Sequence, residues 1–389
     1  MQNHTYSTLT HLGDITISDF LTQYWQKKPL LIRNAFPNFE PLISADELAG
    51  LSLESDVNSR LVIQKGHDNW KVEHGPLKEE RFANLSEKNW TLLVQHVDSL
   101  VPEVNELLNA FRFIPNWRLD DIMVSYATDN GGVGPHFDYF DVFLLQGEGK
   151  RRWRIGQTCN RHSKLIPNQP MKILTDFETT EDWVTEPGDL LYIPAQTAHW
   201  GEAVGESITY SIGFRAPSDA EILLDYSQEA SIPLTDDNRY KDPDLTEQNN
   251  SGEISNNAIH KIMTTLQKYA TDEDAITRWL GEYSTQLKYT SDDIELPLDI
   301  LSLDEFQQGE LGQLSPLARC AYIQNKNNVN EKENDTNAYC FINGTCYTCS
   351  LTLAEKLCQS QTITWQELTT LDASFITSLL HESLIIYSD

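Results

Sequence analysis

The apolar positions change their spacing several times along the chain. From Ser18, the residues Phe20, Leu21, Tyr24 and Trp25 recur at helical intervals, and Ser18 can cap the helix they predict. Pro29-Leu-Leu-Ile-Arg33 reads as a compact strand. Ser44-Ala-Asp-Glu47-Leu has the form of a capping box and opens a second helix. Leu61-Val-Ile-Gln64 reads as a strand. Over 88–111, Trp90, Leu92, Leu93, Val97, Leu100, Val104, Leu107 and Leu108 predict a longer helix.

From about residue 113 the pattern becomes that of strands. Asp121 to Ala127 is one, and a Gly-rich turn, Asn130 to Pro135, leads into another through His136. Strands follow over Asp141–Gln146, Arg151–Ile155, Leu190–Pro194, Gly201–Val204 and Ser207–Phe214, separated by Gly147–Lys150 and Pro187-Gly188-Asp189 turns. Many short strands with Gly and Pro punctuation predict a sandwich or barrel. Residues 218–289 return to a helical texture, interrupted by a polar loop over 234–253. A third stretch begins near 296. It holds a polar loop, Gln324 to Asn337, and a hairpin turning at Asn343-Gly344, a pair suited to the positive φ of a tight turn.

With 389 residues, 40% of them hydrophobic, the chain is long enough for two or three domains with cores of their own. No apolar run reaches the roughly 18 residues of a membrane helix, and the N-terminus lacks a signal-peptide pattern, so the expected compartment is the cytoplasm with no membrane contact. A net charge of −29 argues against phosphate-backbone recognition and favours a basic protein partner. Five of the six cysteines lie in the last quarter. They are expected to be reduced, and Cys346-x-x-Cys349 lacks a second ligand pair at zinc-finger spacing, so it reads as small residues on strands.

The chemistry concentrates between Gly131 and Trp200. His136 and Asp138 are two apart, so in an extended segment both point to one side. His199 follows the Leu190–Pro194 strand, and neighbouring strands of a barrel can bring it to the first pair. Two histidines and one carboxylate form the facial triad of non-haem Fe(II), which leaves positions open for substrate and dioxygen. Asp141 lies an odd number of residues from both ligands and should face away, with Tyr139 also set aside. Gly131, Gly132 and Gly134 read as a plain turn, since no Lys-Ser/Thr follows as in a phosphate loop. Trp153, Trp183 and Trp200 read as core aromatics.

The segments FLTQYWQKKPLLIRNA, PNWRLDDIMVSYA, GGVGPHFDYFDVFLLQGEGKRRWRIG, EPGDLLYIPAQTAHWG and ITYSIGFRAPS, spanning about 17–218, resemble the JmjC-type 2-oxoglutarate oxygenases, in particular the bacterial cupin-like ribosomal oxygenases. The resemblance implies a double-stranded β-helix (jelly-roll) core over 1–217, a helical dimerisation region over 218–295 and a winged-helix-like domain over 296–389. It implies His136, Asp138 and His199 as the iron ligands, Arg151 as the cation on the far carboxylate of 2-oxoglutarate, and Ser125 as a further hydroxyl in the pocket. A guanidinium suits that role because it grips a carboxylate with two parallel hydrogen bonds. The implied reaction uses 2-oxoglutarate and O2 to hydroxylate the β-carbon of an arginine in a basic large-subunit ribosomal protein, the sixteenth. Asp120 and Asp121 are candidates to hold that arginine. The other readings are the same chemistry on a histidine or another residue, a metalloenzyme of this fold that needs no 2-oxoglutarate, or a non-catalytic cupin-like binding protein. The acidic tail is expected to contact protein and not DNA.

Overall fold

The structure is a computed structural model that describes residues 6–66, 69–287, 301–315, 317–325, 337–368, 379 and 384–387. The described residues form two compact units, one within 6–216 and the other within 217–287 and 301–387.

The first unit is built on a nine-stranded antiparallel sheet. Its strands are β1 (Leu30–Ile32), β2 (Ser59–Gly66), β3 (Asn69–His74), β4 (Trp90–Val94), β5 (Leu119–Ala127), β6 (Val142–Thr158), β7 (Glu181–Thr185), β8 (Leu190–Ile193) and β9 (Thr197–Phe214). The order is β1-β8-β6-β9-β5-β4-β2-β3, with β7 added beside β6. A layer of N-terminal helices covers one face: α1 (Ile17–Gln23), capped by the Thr16 side chain, and α2 (Ala45–Leu51), opened by the Ser44–Glu47 capping box. Phe20 of α1 is fully buried, its ring 5.0 Å from that of Tyr192 and 5.5 Å from that of Phe143.

Three sequence expectations are corrected. The helix expected over 88–111 begins instead as strand β4, which pairs with β2 and β5, and only short helical turns follow, over 97–99 and 102–111. All five β4 residues are buried. A strand covered on both faces reads as a continuous apolar run, which periodicity cannot tell from a helix. The strands expected as two pairs are single long ones, β6 and β9, interrupted by irregularities. His136 lies in no regular strand; it makes an isolated bridge to His199.

The irregularity in β6 decides what the barrel interior contains. The pairing passes from Ile208↔Glu148 to Thr209↔Gln146, so Gly147 is one extra residue on β6. A one-residue bulge exchanges the two faces of a strand. Before it, Phe143 and Leu145 join the helix-covered core, while Val142 and Leu144 face the other way. After it, Trp153 and Ile155 share the face of Val142 and Leu144. The flip buries Arg151 and leaves Arg152 outside, paired with Asp182.

The second unit contains α3 (Asp219–Ser231), α4 (Asn256–Ala270) and α5 (Glu273–Thr285), then a three-stranded sheet of β10 (Cys320–Gln324), β11 (Asn337–Ile342) and β12 (Thr345–Ser350), followed by α6 (Leu351–Cys358). The β11–β12 hairpin turns at Asn343 and Gly344, both at positive φ, as the sequence predicts. Of the polar loop expected at 324–337, residues 326–336 lie outside the described residues.

Candidate active site

His136 and His199 are directly opposed across their bridge. The His136 amide donates to the His199 carbonyl at 3.0 Å, and the reverse bond is 2.8 Å. Their rings lie side by side, 4.2 Å between centroids. Backbone pairing therefore closes the sixty-residue gap between the two histidines. Each Nδ1 lies within reach of the carbonyl two residues before it, His136 on Gly134 at 2.9 Å and His199 on Thr197 at 3.0 Å. A carbonyl can only accept, so Nδ1 carries the proton and the Nε2 lone pair is free on both rings. Asp138 Oδ2 lies 3.8 Å from His136 Nε2 and 3.5 Å from His199 Nε2. The three donor atoms lie within 4.8 Å of one another. Burial, reinforced by His136, pushes the His199 imidazole down to about 4, so it is neutral near pH 7. Neutral imidazoles and an ionised carboxylate are the forms that bind a divalent metal, and two N donors with one O donor suit ferrous iron.

Arg151 is 4% exposed. Burial lowers its pKa to about 10, so it remains a cation at neutral pH. Its Nη1 donates to Ser125 Oγ at 3.3 Å, and its guanidinium carbon lies 5.1 Å from the centre of the Trp153 ring. Its Nε has no hydrogen-bond partner, and no carboxylate among the described residues forms an ion pair with it. The Ser207 hydroxyl, on the β9 residue opposite Ala127, is likewise buried without a partner. A buried charge is costly unless paired, so this cation, with its open Nε, suits an anionic ligand group. Trp153 links the two halves of the site, its ring 6.2 Å from that of His199. The residues present thus fit both a metal ion and a carboxylate co-ligand.

Sequence reading missed the polar knot behind Arg151. The Gln146 Oε1 accepts from the Thr185 and Thr209 hydroxyls at 3.0 and 3.3 Å, and its amide donates to the Glu148 and Ile208 carbonyls. A buried-strand run, Val142–Leu145, that ends on a glutamine was the available signal. Asp141 points away from the triad as expected: it is fully buried, accepts from Tyr192 Oη at 2.5 Å and from Gln26 Nε2 at 2.9 Å. Asp120 and Asp121 do not stand open for a substrate arginine. Asp120 pairs with Arg215 at 3.1 Å and Asp121 lies 3.2 Å from His96 Nδ1, so the chain's own bases occupy both.

Two glycines hold this geometry. Gly134, whose carbonyl orients His136, sits at φ +77°. A Cβ on Gly201 would lie 2.5 Å from the Trp153 ring, so β9 can pass that ring only without a side chain. Gly201→Ala is expected to cost about 1–3 kcal/mol of stability by overpacking and to weaken metal binding by displacing His199, two residues away. Chemical denaturation and metal titration of the variant measure both effects.

Residues 106–222 match the JmjC domain family. The ribosomal protein uL16 3-hydroxylase of Escherichia coli is 37% identical over 274 residues, 70% of this chain and 72% of that protein. The X-ray structure of E. coli YcfD superimposes with a TM-score of 0.80 at 30% identity, covering 98% of this chain and all of that one. YcfD described as a ribosomal oxygenase in complex with cobalt and 2-oxoglutarate gives a TM-score of 0.77 at 29% identity, over 96% of this chain and 98% of that one. The barrel, the triad and these likenesses lead to one conclusion: this chain belongs to the JmjC-domain ribosomal oxygenases.

Proposed function

We propose that this chain is an Fe(II)- and 2-oxoglutarate-dependent dioxygenase that hydroxylates a ribosomal protein, and that its target is the β-carbon of an arginine in uL16. The observation that carries the reading is the buried Arg151 cation, open on Nε, within the barrel that presents His136, Asp138 and His199. Likeness to the E. coli uL16 3-hydroxylase supports the substrate.

In this reading His136, Asp138 and His199 hold Fe(II), and Arg151, steadied by Ser125, holds the far carboxylate of 2-oxoglutarate. Bound there, the metal with 2-oxoglutarate and O2 supplies the power to put one oxygen atom on an unactivated C–H bond, the co-substrate leaving as succinate and CO2. The chain's residues do the positioning. The Gly134 and Thr197 carbonyls fix the ring orientations of the two histidines. Arg151 sets the direction of the co-substrate, and Trp153 walls the space between cation and ligands. The net charge of −29 attracts a basic ribosomal protein and speeds encounter at low salt. Incubation with a uL16 peptide should add one oxygen atom at arginine, dependent on 2-oxoglutarate and Fe(II). Succinate formation unaffected by the peptide would point to another substrate.

The three-part division of the chain, with a dimerising region over 218–295 and a winged-helix-like contact module over 296–389, belongs to the same proposal. Leu223 and Leu224 on α3 and Ile259, Ile262, Met263 and Leu266 on α4 are exposed, Leu224 by 71%. Tyr240, Leu245, Ile254, Ile259, Ile262 and Met263 line an apolar groove of about 540 Å³. Apolar surface of this kind calls for a partner, and a second copy supplies a matching one. Leu266→Asp with Ile262→Asp should convert a dimer to a monomer by light scattering, leaving the iron site intact. No helix among the described residues is long and apolar enough to cross a membrane. A ribosomal substrate supports a cytoplasmic location.

A further inference from the structure

The second unit holds a cluster of thiols that the hydroxylase chemistry does not use. Cys320 on β10, Cys340 on β11 and Cys358 at the end of α6 bring their sulfurs within 4.8 Å of one another. None of the six cysteines is joined to another by a disulfide in this structure. The Cys320 and Cys358 sulfurs are 2.7 Å apart, and Cys320 to Cys340 is 3.9 Å. Cys320↔Ile342 and Tyr322↔Cys340 are cross-strand partners, so Cys320 and Cys340 share the sheet face that α6 covers.

We propose that Cys320 and Cys358 are an oxidisable pair whose disulfide ties α6 to β10, with Cys340 as the alternative partner of Cys320. The two sulfurs need only a small approach to reach the roughly 2.0 Å of an S–S bond. Charge points the same way. Burial is the first cause that raises the Cys320 thiol, and the neighbouring cysteines raise it further. A set of thiolates would be charged in an apolar core built from Leu353, Ala354 and Leu357, whereas a disulfide is neutral and apolar.

The oxidant is a peroxide. One thiol gives up its proton and attacks hydrogen peroxide, the O–O bond breaks, and a sulfenic acid forms while the leaving hydroxide takes that proton and departs as water. The second thiol attacks that sulfur, the S–O bond breaks, the S–S bond forms and a second water leaves. Two thiols lose two electrons and two protons in all, and the peroxide is reduced to two waters. Because the thiols are buried, and burial raises the Cys320 thiol, the reaction is slow and depends on local opening. It acts as a lock for the tail module and not as a rapid sensor.

The test is peroxide treatment of the purified full chain, alkylation of remaining thiols, and peptide mapping without reductant. The expected result is one Cys320–Cys358 cross-link, lost on reduction and retained in Cys340→Ser. In Cys358→Ser the cross-link should move to Cys320–Cys340. Six alkylated cysteines after prolonged treatment would overturn the proposal. So would a co-purifying zinc or copper ion that shields the three thiols and is released by acid. The readout on the unsubstituted chain needs no variant to fold, and it is independent of hydroxylase activity.

Discussion

Alanine in place of His136, Asp138 or His199 is expected to remove Fe(II) binding and to reduce hydroxylation by well over about a hundredfold. Loss of an outer hydrogen-bond partner of a metal ligand already costs 10–100-fold, and here a ligand itself is removed from a set of three. The global fold should survive in the His136 and Asp138 variants. Asp138 is a third exposed and His136 nearly a quarter, and neither fills the main core, whose apolar cluster lies on the helix-covered face. Calorimetric titration with Co(II) reads the effect without turnover. Asp141→Asn is the contrasting variant. Asp141 holds Tyr192 and Gln26 in the core, so its replacement should lower stability and leave metal affinity unchanged. Equal metal binding in His136→Ala and the unsubstituted chain would remove the triad assignment.

Arg151→Met should separate stability from function. In the absence of co-substrate the guanidinium is buried with one long hydrogen bond and an open Nε. Exchanging such a charge for an apolar side chain of similar length is often neutral or stabilising by about 1–4 kcal/mol. The variant should therefore melt at the same temperature as the parent or higher. Its affinity for 2-oxoglutarate should fall by about 100-fold or more, since truncating one partner of a buried charge pair costs about 2–5 kcal/mol. Co(II) affinity should hold, because the triad is untouched. A matching loss of stability would make Arg151 a structural residue. An unchanged KM for 2-oxoglutarate would place the carboxylate elsewhere.

Much of this site was legible in the sequence because its parts are local. The two-residue spacing of His136 and Asp138 survives whether the segment is a strand or an extended loop with a single bridge. The family-like segments carried Arg151 and Ser125, and the structure brings these two side chains into contact. What the sequence hid depends on register. The Gly147 bulge turns Arg151 inward and Arg152 outward, and a single extra residue leaves no mark on apolar periodicity. The β4 run failed for the related reason that a strand buried on both sides has no alternation to read. Asp120 and Asp121 carried the right charge for a substrate guanidinium, but Arg215 and His96, far from them in sequence, already claim them. The thiol cluster was invisible because Cys320, Cys340 and Cys358 show no short metal-ligand spacing; only the folding of three elements brings them together.

On the proposed function, this chain places one oxygen atom on an arginine of uL16. Large ribosomal subunits from a strain lacking the protein, incubated with purified enzyme, Fe(II), 2-oxoglutarate and O2, provide the direct measurement, with the ribosomal proteins weighed by mass spectrometry. The predicted result is one added oxygen atom on uL16, mapped to an arginine, absent without 2-oxoglutarate and absent with His136→Ala. Unmodified uL16 from subunits treated with enzyme that binds both iron and 2-oxoglutarate would contradict it.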